Sequence, residues 1–181
     1  MKNMYLIFAG VLFTVIASSL VLVFIPDYSF SELTPIEDES GQVVYPIRTE
    51  SQAAGKRIYE DLGCIYCHSQ QVAPEGFRAD IERGWGLRRT VARDYALDQP
   101  PLMGTMRTGP DLANIGQRQP SDQWHHLHLF DPEIVSPGSI MPKFPYLYEV
   151  RQTTAEALRG IEAYPLPEDY FAEPGYYILP N

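Results

Sequence analysis

From Met4 to Ile25 the chain runs without a charged residue, MYLIFAGVLFTVIASSLVLVFI. A helix of that length rises about 33 Å at 1.5 Å per residue, enough to cross a hydrocarbon core of about 30 Å. Lys2 and the amino terminus precede the run, and Asp27 and Glu32 follow it. That asymmetry puts the N-terminus in the cytoplasm and the body outside. A cleaved signal peptide would have an apolar region of about 7–15 residues closing on small residues. Here Ala17-Ser18-Ser19 lies inside the run, with further apolar residues beyond it. The pattern therefore predicts a permanent anchor over residues 1–25, and no second run of this length occurs.

Beyond the anchor the periodicity is weaker. Residues 26–52 are acidic and polar with no helical period, and read as an extended tether. Ala54, Ile58 and Leu62 recur along one face of a helix predicted over Ala53–Leu62, which Gly63 ends. Gln70 to Gly109 is irregular. Ser121 caps a short helix over Asp122–Phe130, closed by Asp131-Pro132. Pro137 to Pro145 is a proline-rich loop. AEALRGIEAY, Ala155–Tyr164, reads as a last helix that Pro165 stops. The tail after it is aromatic and has too little pattern to form a core by itself. The expected fold class is all-α, a single domain over residues 53–165 with a tail over 166–181.

Composition narrows the function. The 181 residues suit one small domain with attachments, and sixteen prolines with thirteen glycines make a loop-rich body. The net charge of −9 becomes −10 once the anchor is set aside. That argues against nucleic-acid binding, which calls for a basic surface. Two cysteines, Cys64 and Cys67, do not make a disulfide scaffold. They stand in Cys64-Ile65-Tyr66-Cys67-His68, the C-x-x-C-H spacing of covalent haem attachment. Two thiols at that spacing meet the two vinyl groups of a porphyrin, and the adjacent histidine can supply the proximal ligand to iron. A structural zinc site would need four ligands, and a thioredoxin-like pair would need a βαβ setting. Attachment takes place on the outer side of the membrane, the side that the anchor predicts.

A second axial ligand is sought among Met103, Met106 and Met141. Met141 is preferred, because Pro137-Gly138-Ser139-Ile140-Met141-Pro142 would hold a side chain at a fixed height, whereas a methionine that merely fills a core needs no such rigidity. His125, His126 and His128 share one helix and suit structural roles better than ligation. In Arg107-Thr108-Gly109-Pro110-Asp111-Leu112, Gly109 and Pro110 would let the backbone lie flat beside the haem. The Pro110 carbonyl could accept the Nδ1 proton of His68, and Arg107 could pair with a propionate. Five arginines from Arg78 to Arg93 form a basic stretch, suited to a partner subunit, to propionates, or to local ion pairs.

GKRIYEDLGCIYCHSQ, Arg78, RTGPDLANIG, SDQWHHLHL and SIMPKFPYL together resemble the membrane-anchored mono-haem subunit of cbb3-type cytochrome c oxidases. The resemblance runs from about Gly55 to Leu147 and includes the N-terminal anchor. It implies that Cys64 and Cys67 bind haem c, that His68 and Met141 ligate its iron, and that the body faces the periplasm of a bacterium. It also implies a large haem-copper catalytic subunit as partner, with another cytochrome c subunit possible beside it, and electrons passed toward the partner's low-spin haem. The alternatives are the equivalent subunit of a nitric oxide reductase and a free-standing anchored shuttle; a peroxidase would need an open iron site. No residue is needed as acid, base or nucleophile, so the chain is not expected to be catalytic alone. In the expected fold the Ala53–Leu62 helix crosses the Ala155–Tyr164 helix with Gly55 near Ile161 or Tyr164, and the porphyrin supplies much of the core.

Overall fold

The computed structural model describes residues 3–181; Lys2, which carries part of the charge asymmetry across the anchor, lies outside the described residues. By packing, the chain divides into two compact units, residues 1–113 and 114–181. The division falls inside the segment 53–165 expected as one domain.

The first unit opens with α1, Met4–Ser31, apolar and long enough to cross a membrane and unburied along its apolar window. It continues six residues past the predicted end at Ile25, into the segment expected to be extended. Pro26 has no N–H to offer the carbonyl four residues back, that of Leu22. The chain accommodates this by widening to a π turn over Leu20–Phe24, where the Ile25 N–H reaches the Leu20 carbonyl. Helical bonding then resumes through Ser31.

The segment after α1 is tied to the body. Glu37 and Val43 form a small antiparallel bridge around the turn at Asp38. Arg93 donates from Nε to the Thr34 carbonyl (2.9 Å) and from Nη2 to the Pro35 carbonyl (3.1 Å). Arg48 and Lys56 both pair with Asp98, at 2.7 and 2.8 Å. Helix α2, Glu50–Asp61, begins three residues earlier than its apolar spacing suggests. Thr49 and Gln52 form a reciprocal capping box that satisfies its first free N–H groups. Among the described residues of this unit only Val72 and Ala73 are buried hydrophobics, whereas Ser69, Asp80, Asp94 and Asp111 are buried polar groups. A polar network therefore does much of the holding.

The second unit corrects the expected all-α class. It contains α3, Asp122–Phe130, as predicted and with Ser121 Oγ accepting the Trp124 N–H. It also contains an antiparallel sheet of β1 (Tyr148–Gln152), β2 (Tyr164–Pro165) and β3 (Tyr176–Pro180), in the order β1-β3-β2. Tyr148 pairs with Pro180 and Gln152 with Tyr176, and Tyr164 pairs with Ile178. Leu127, Phe130, Tyr148, Leu166 and Ile178 form one buried cluster between α3 and the sheet. Ile178 is fully buried, so the tail that lacked a core pattern supplies the central strand.

The helix expected over Ala155–Tyr164 does not form. Three-residue turns run instead from Thr154 to Ile161, and Gly160 takes a left-handed conformation at φ +83°. Of this stretch only Leu158 is buried. A helix has a costly nucleus that one buried leucine does not offset, while Tyr164 and Pro165 gain ladder bonds to β3. The anticipated crossing with α2 thus has no second helix to make it.

Candidate functional site

In the first unit α2 ends at a turn in which Gly63 is left-handed (φ +70°), and a 3-10 turn over Cys64–Tyr66 follows. The Cys67 and His68 N–H groups both reach the Cys64 carbonyl, at 3.1 and 2.9 Å. This brings two cysteines and a histidine into one turn. Both thiols are free; Cys64 is half-buried and Cys67 exposed. Burial pushes the Cys64 thiol pKa up, with the nearby Cys67 adding to the effect.

His68 is held from several sides. Tyr59, on α2, donates its hydroxyl to the His68 carbonyl (2.9 Å). The His68 Nδ1 lies 2.7 Å from the Pro110 carbonyl oxygen. A carbonyl only accepts, so Nδ1 carries a proton, and in the neutral ring this tautomer has its lone pair on Nε2. The Gly109 N–H donates to the Cys67 carbonyl at 2.9 Å, pressing the backbone against the ring. A Cβ on Gly109 would collide with the imidazole, standing 2.8 Å from both ring nitrogens. The close approach at Gly109 is thus to the His68 ring; the expectation for Gly109-Pro110 concerned the backbone beside the haem.

Arg107 builds the base of this arrangement. Its Nη1 and Nη2 grip Asp80 bidentately at 2.7 and 2.8 Å. Its Nε donates to Ser69 Oγ (2.6 Å), and Nη2 also reaches the Gln71 carbonyl (2.6 Å) and Asp111 Oδ2 (3.2 Å). Asp111 Oδ2 in turn accepts from Ser69 Oγ (2.6 Å) and the Gln71 N–H (2.8 Å). Hydrogen bonds from Arg107 hold the Asp80 carboxyl below the usual carboxylate range, against the opposing effect of burial. The propionate expected beside Arg107 would compete with these partners. Sequence reasoning gave no role to Ser69, Asp80 or Asp111 in this network. Asp80 is 2% exposed in a segment without periodicity; the one available sign was a lone aspartate among arginines.

Met141 belongs to the second unit. Its N–H donates to Ser139 Oγ (3.2 Å) within the proline-rich loop. The loop is fastened on its far side by the Phe144 N–H to the Leu129 carbonyl (3.0 Å) and by Lys143 to Asp131 (2.6 Å). Met103 and Met106, in the first unit, are exposed. The three histidines of α3 have structural neighbours. His125 Nε2 meets the Gln119 carbonyl (2.8 Å), His126 stacks on Tyr164, and His128 stacks on Trp124. In the basic stretch, Arg88 is bidentate to Asp94, Arg93 binds the tether, and Arg83 lies over Trp85. With Arg78 over the Phe77 ring, such contacts occupy four of the five arginines.

These residues fit a haem. Two free thiols share a turn with a histidine whose Nε2 lone pair is kept open by the Pro110 contact, and a glycine leaves room for the ring beside it. No curated protein matches the chain. The family model described as "Cytochrome C oxidase, mono-heme subunit/FixO" matches residues 1–168, nearly the whole chain and the same family that the motifs resemble. The chain is a member of this family, the mono-haem electron-transfer subunit of cbb3-type cytochrome c oxidase.

Proposed function

We propose that Cys64 and Cys67 attach one haem c, each thiol adding across a vinyl group to leave a thioether. His68 Nε2 and the Met141 sulfur ligate the iron. When bound, the haem supplies one-electron exchange at iron. The chain's own residues set its conditions: Pro110 fixes the His68 tautomer and strengthens its donation, and Arg107 with Asp80 and Asp111 fixes the segment that follows the cysteines. The body stands on the periplasmic side of a bacterial cytoplasmic membrane, beside a large haem-copper catalytic subunit. The single observation that carries this reading is the 2.7 Å contact from His68 Nδ1 to the Pro110 carbonyl, with Gly109 against the ring.

The test is purification of the tagged full chain from membranes in mild detergent, with haem spectra and mass spectrometry of what accompanies it. The expected outcome is a multi-span partner containing b-type haem and oxygen consumption by the preparation. In the same preparation Cys64→Ala/Cys67→Ala should make the haem extractable into organic solvent. A lone haem protein without a partner would leave an anchored shuttle, and haem extractable from the unaltered chain would refute covalent attachment.

A further inference from the structure

The family match ends at residue 168, yet the residues beyond it grip the loop that carries Met141. Asp131 is 3% exposed at the end of α3. Its Oδ2 accepts from Lys143 Nζ (2.6 Å) and from the Tyr170 hydroxyl (2.8 Å), and its Oδ1 accepts the Glu133 N–H (3.2 Å). Lys143 stands two residues after Met141. Farther along the same segment, Asn181 donates its N–H to the Leu147 carbonyl (3.0 Å) and its Nδ2 to the Tyr146 carbonyl (3.0 Å). Between these two grips β3 lies at the centre of the sheet. The tail therefore fastens the Met141 segment at Tyr146–Leu147 and, through Asp131, at Lys143.

We propose that the C-terminal tail positions the axial methionine, with Tyr170 and Asn181 as positioning residues that fix the height of the Met141 loop. The inference rests on the reading of Met141 as an iron ligand. A thioether is a weak ligand for iron, and its occupancy depends on how little freedom its loop retains when released. Two fastenings shortly after Met141, at Lys143 and at Tyr146–Leu147, remove much of that freedom. Tyr170 shares Oδ2 with Lys143, so its loss also loosens the carboxylate that Lys143 holds. Burial and the adjacent Asp131 carboxylate raise the Tyr170 hydroxyl to about 12, so it remains a donor throughout the working range.

The test uses the full-length, haem-loaded chain in detergent with Tyr170→Phe and, separately, with Asn181 deleted. Two quantities are read: the far-red thioether–iron band of the ferric protein, and the rate at which carbon monoxide binds the ferrous haem once the methionine lets go. Each variant should weaken the band and speed carbon monoxide binding about tenfold, the factor expected from losing one hydrogen bond to a charged carboxylate in Tyr170→Phe and two neutral ones in the Asn181 deletion. Leu158→Ala, a substitution at a buried residue that makes none of the hydrogen bonds of either grip, should lower stability and leave both readouts unchanged. Wild-type band and rate in both tail variants would overturn the proposal, as would an equal acceleration in Leu158→Ala. Met141→Ala separates the two levels. If it abolishes the band while the tail variants keep it, the positioning role alone falls; if it too keeps the band, the assignment of Met141 falls with it.

Discussion

Gly109 has no side chain where the His68 ring needs the space, and Pro110 follows with a carbonyl that can only accept. Gly109→Ala should push the imidazole off the Pro110 oxygen, at an overpacking cost of about 1–3 kcal/mol. The expected outcome is a lower thermal midpoint of the haem-loaded chain with a shifted ferric spectrum; an unchanged spectrum would mean the backbone yields instead. That Cys64, Cys67 and His68 meet in one turn was legible from their short spacing, and the Pro110 contact from the acceptor that a histidine Nδ1 proton seeks. Ser69, Asp80 and Asp111 were not. They converge on Arg107 across up to 38 residues of irregular chain, where no periodicity signals which residues meet.

Among the elements, α1 and α3 were the most legible, since long apolar runs and a serine cap announce themselves locally. The sheet was illegible for the opposite reason. β2 has two residues, and β3 reads as an aromatic tail whose meaning lies in its partners Tyr148–Gln152 and Tyr164–Pro165. Ala155–Tyr164 shows how a plausible helical pattern loses to pairing nearby. Gly160 distinguishes the two outcomes. In a helix Gly160→Ala would stabilise; at φ +83° it should destabilise by about 1 kcal/mol. Denaturant unfolding of the haem-loaded chain gives the sign directly.

For the whole molecule, acid is the condition that the ion pairs predict to be damaging. Hydrogen bonds from Arg107 depress Asp80. At Asp94, Asp98 and Asp131 burial opposes ionisation, but hydrogen bonds from Arg88, from Arg48 and Lys56, and from Lys143 and Tyr170 outweigh it. A carboxyl whose folded pKa is depressed contributes stability above its unfolded value of about 3.9, and that stability is lost as pH falls through the folded value. Tryptophan fluorescence should therefore show the unfolding midpoint dropping steeply below about pH 4. A shallower decline beginning below about pH 6.5 belongs to His126, whose pKa burial pushes down. Asp80→Asn should flatten part of the steep limb while lowering stability at neutral pH.

The grip of Arg93 on Thr34 and Pro35 begins within four residues of Ser31, the last of α1. Electron tunnelling falls off exponentially with separation, so a body swinging on a loose leash would sample a broad spread of transfer rates, most of them negligible. A body tethered at the membrane exit and again at Asp98 has its travel clipped. Single-turnover oxidation of its haem should then follow one exponential, and releasing Arg93 should smear that decay into a distribution.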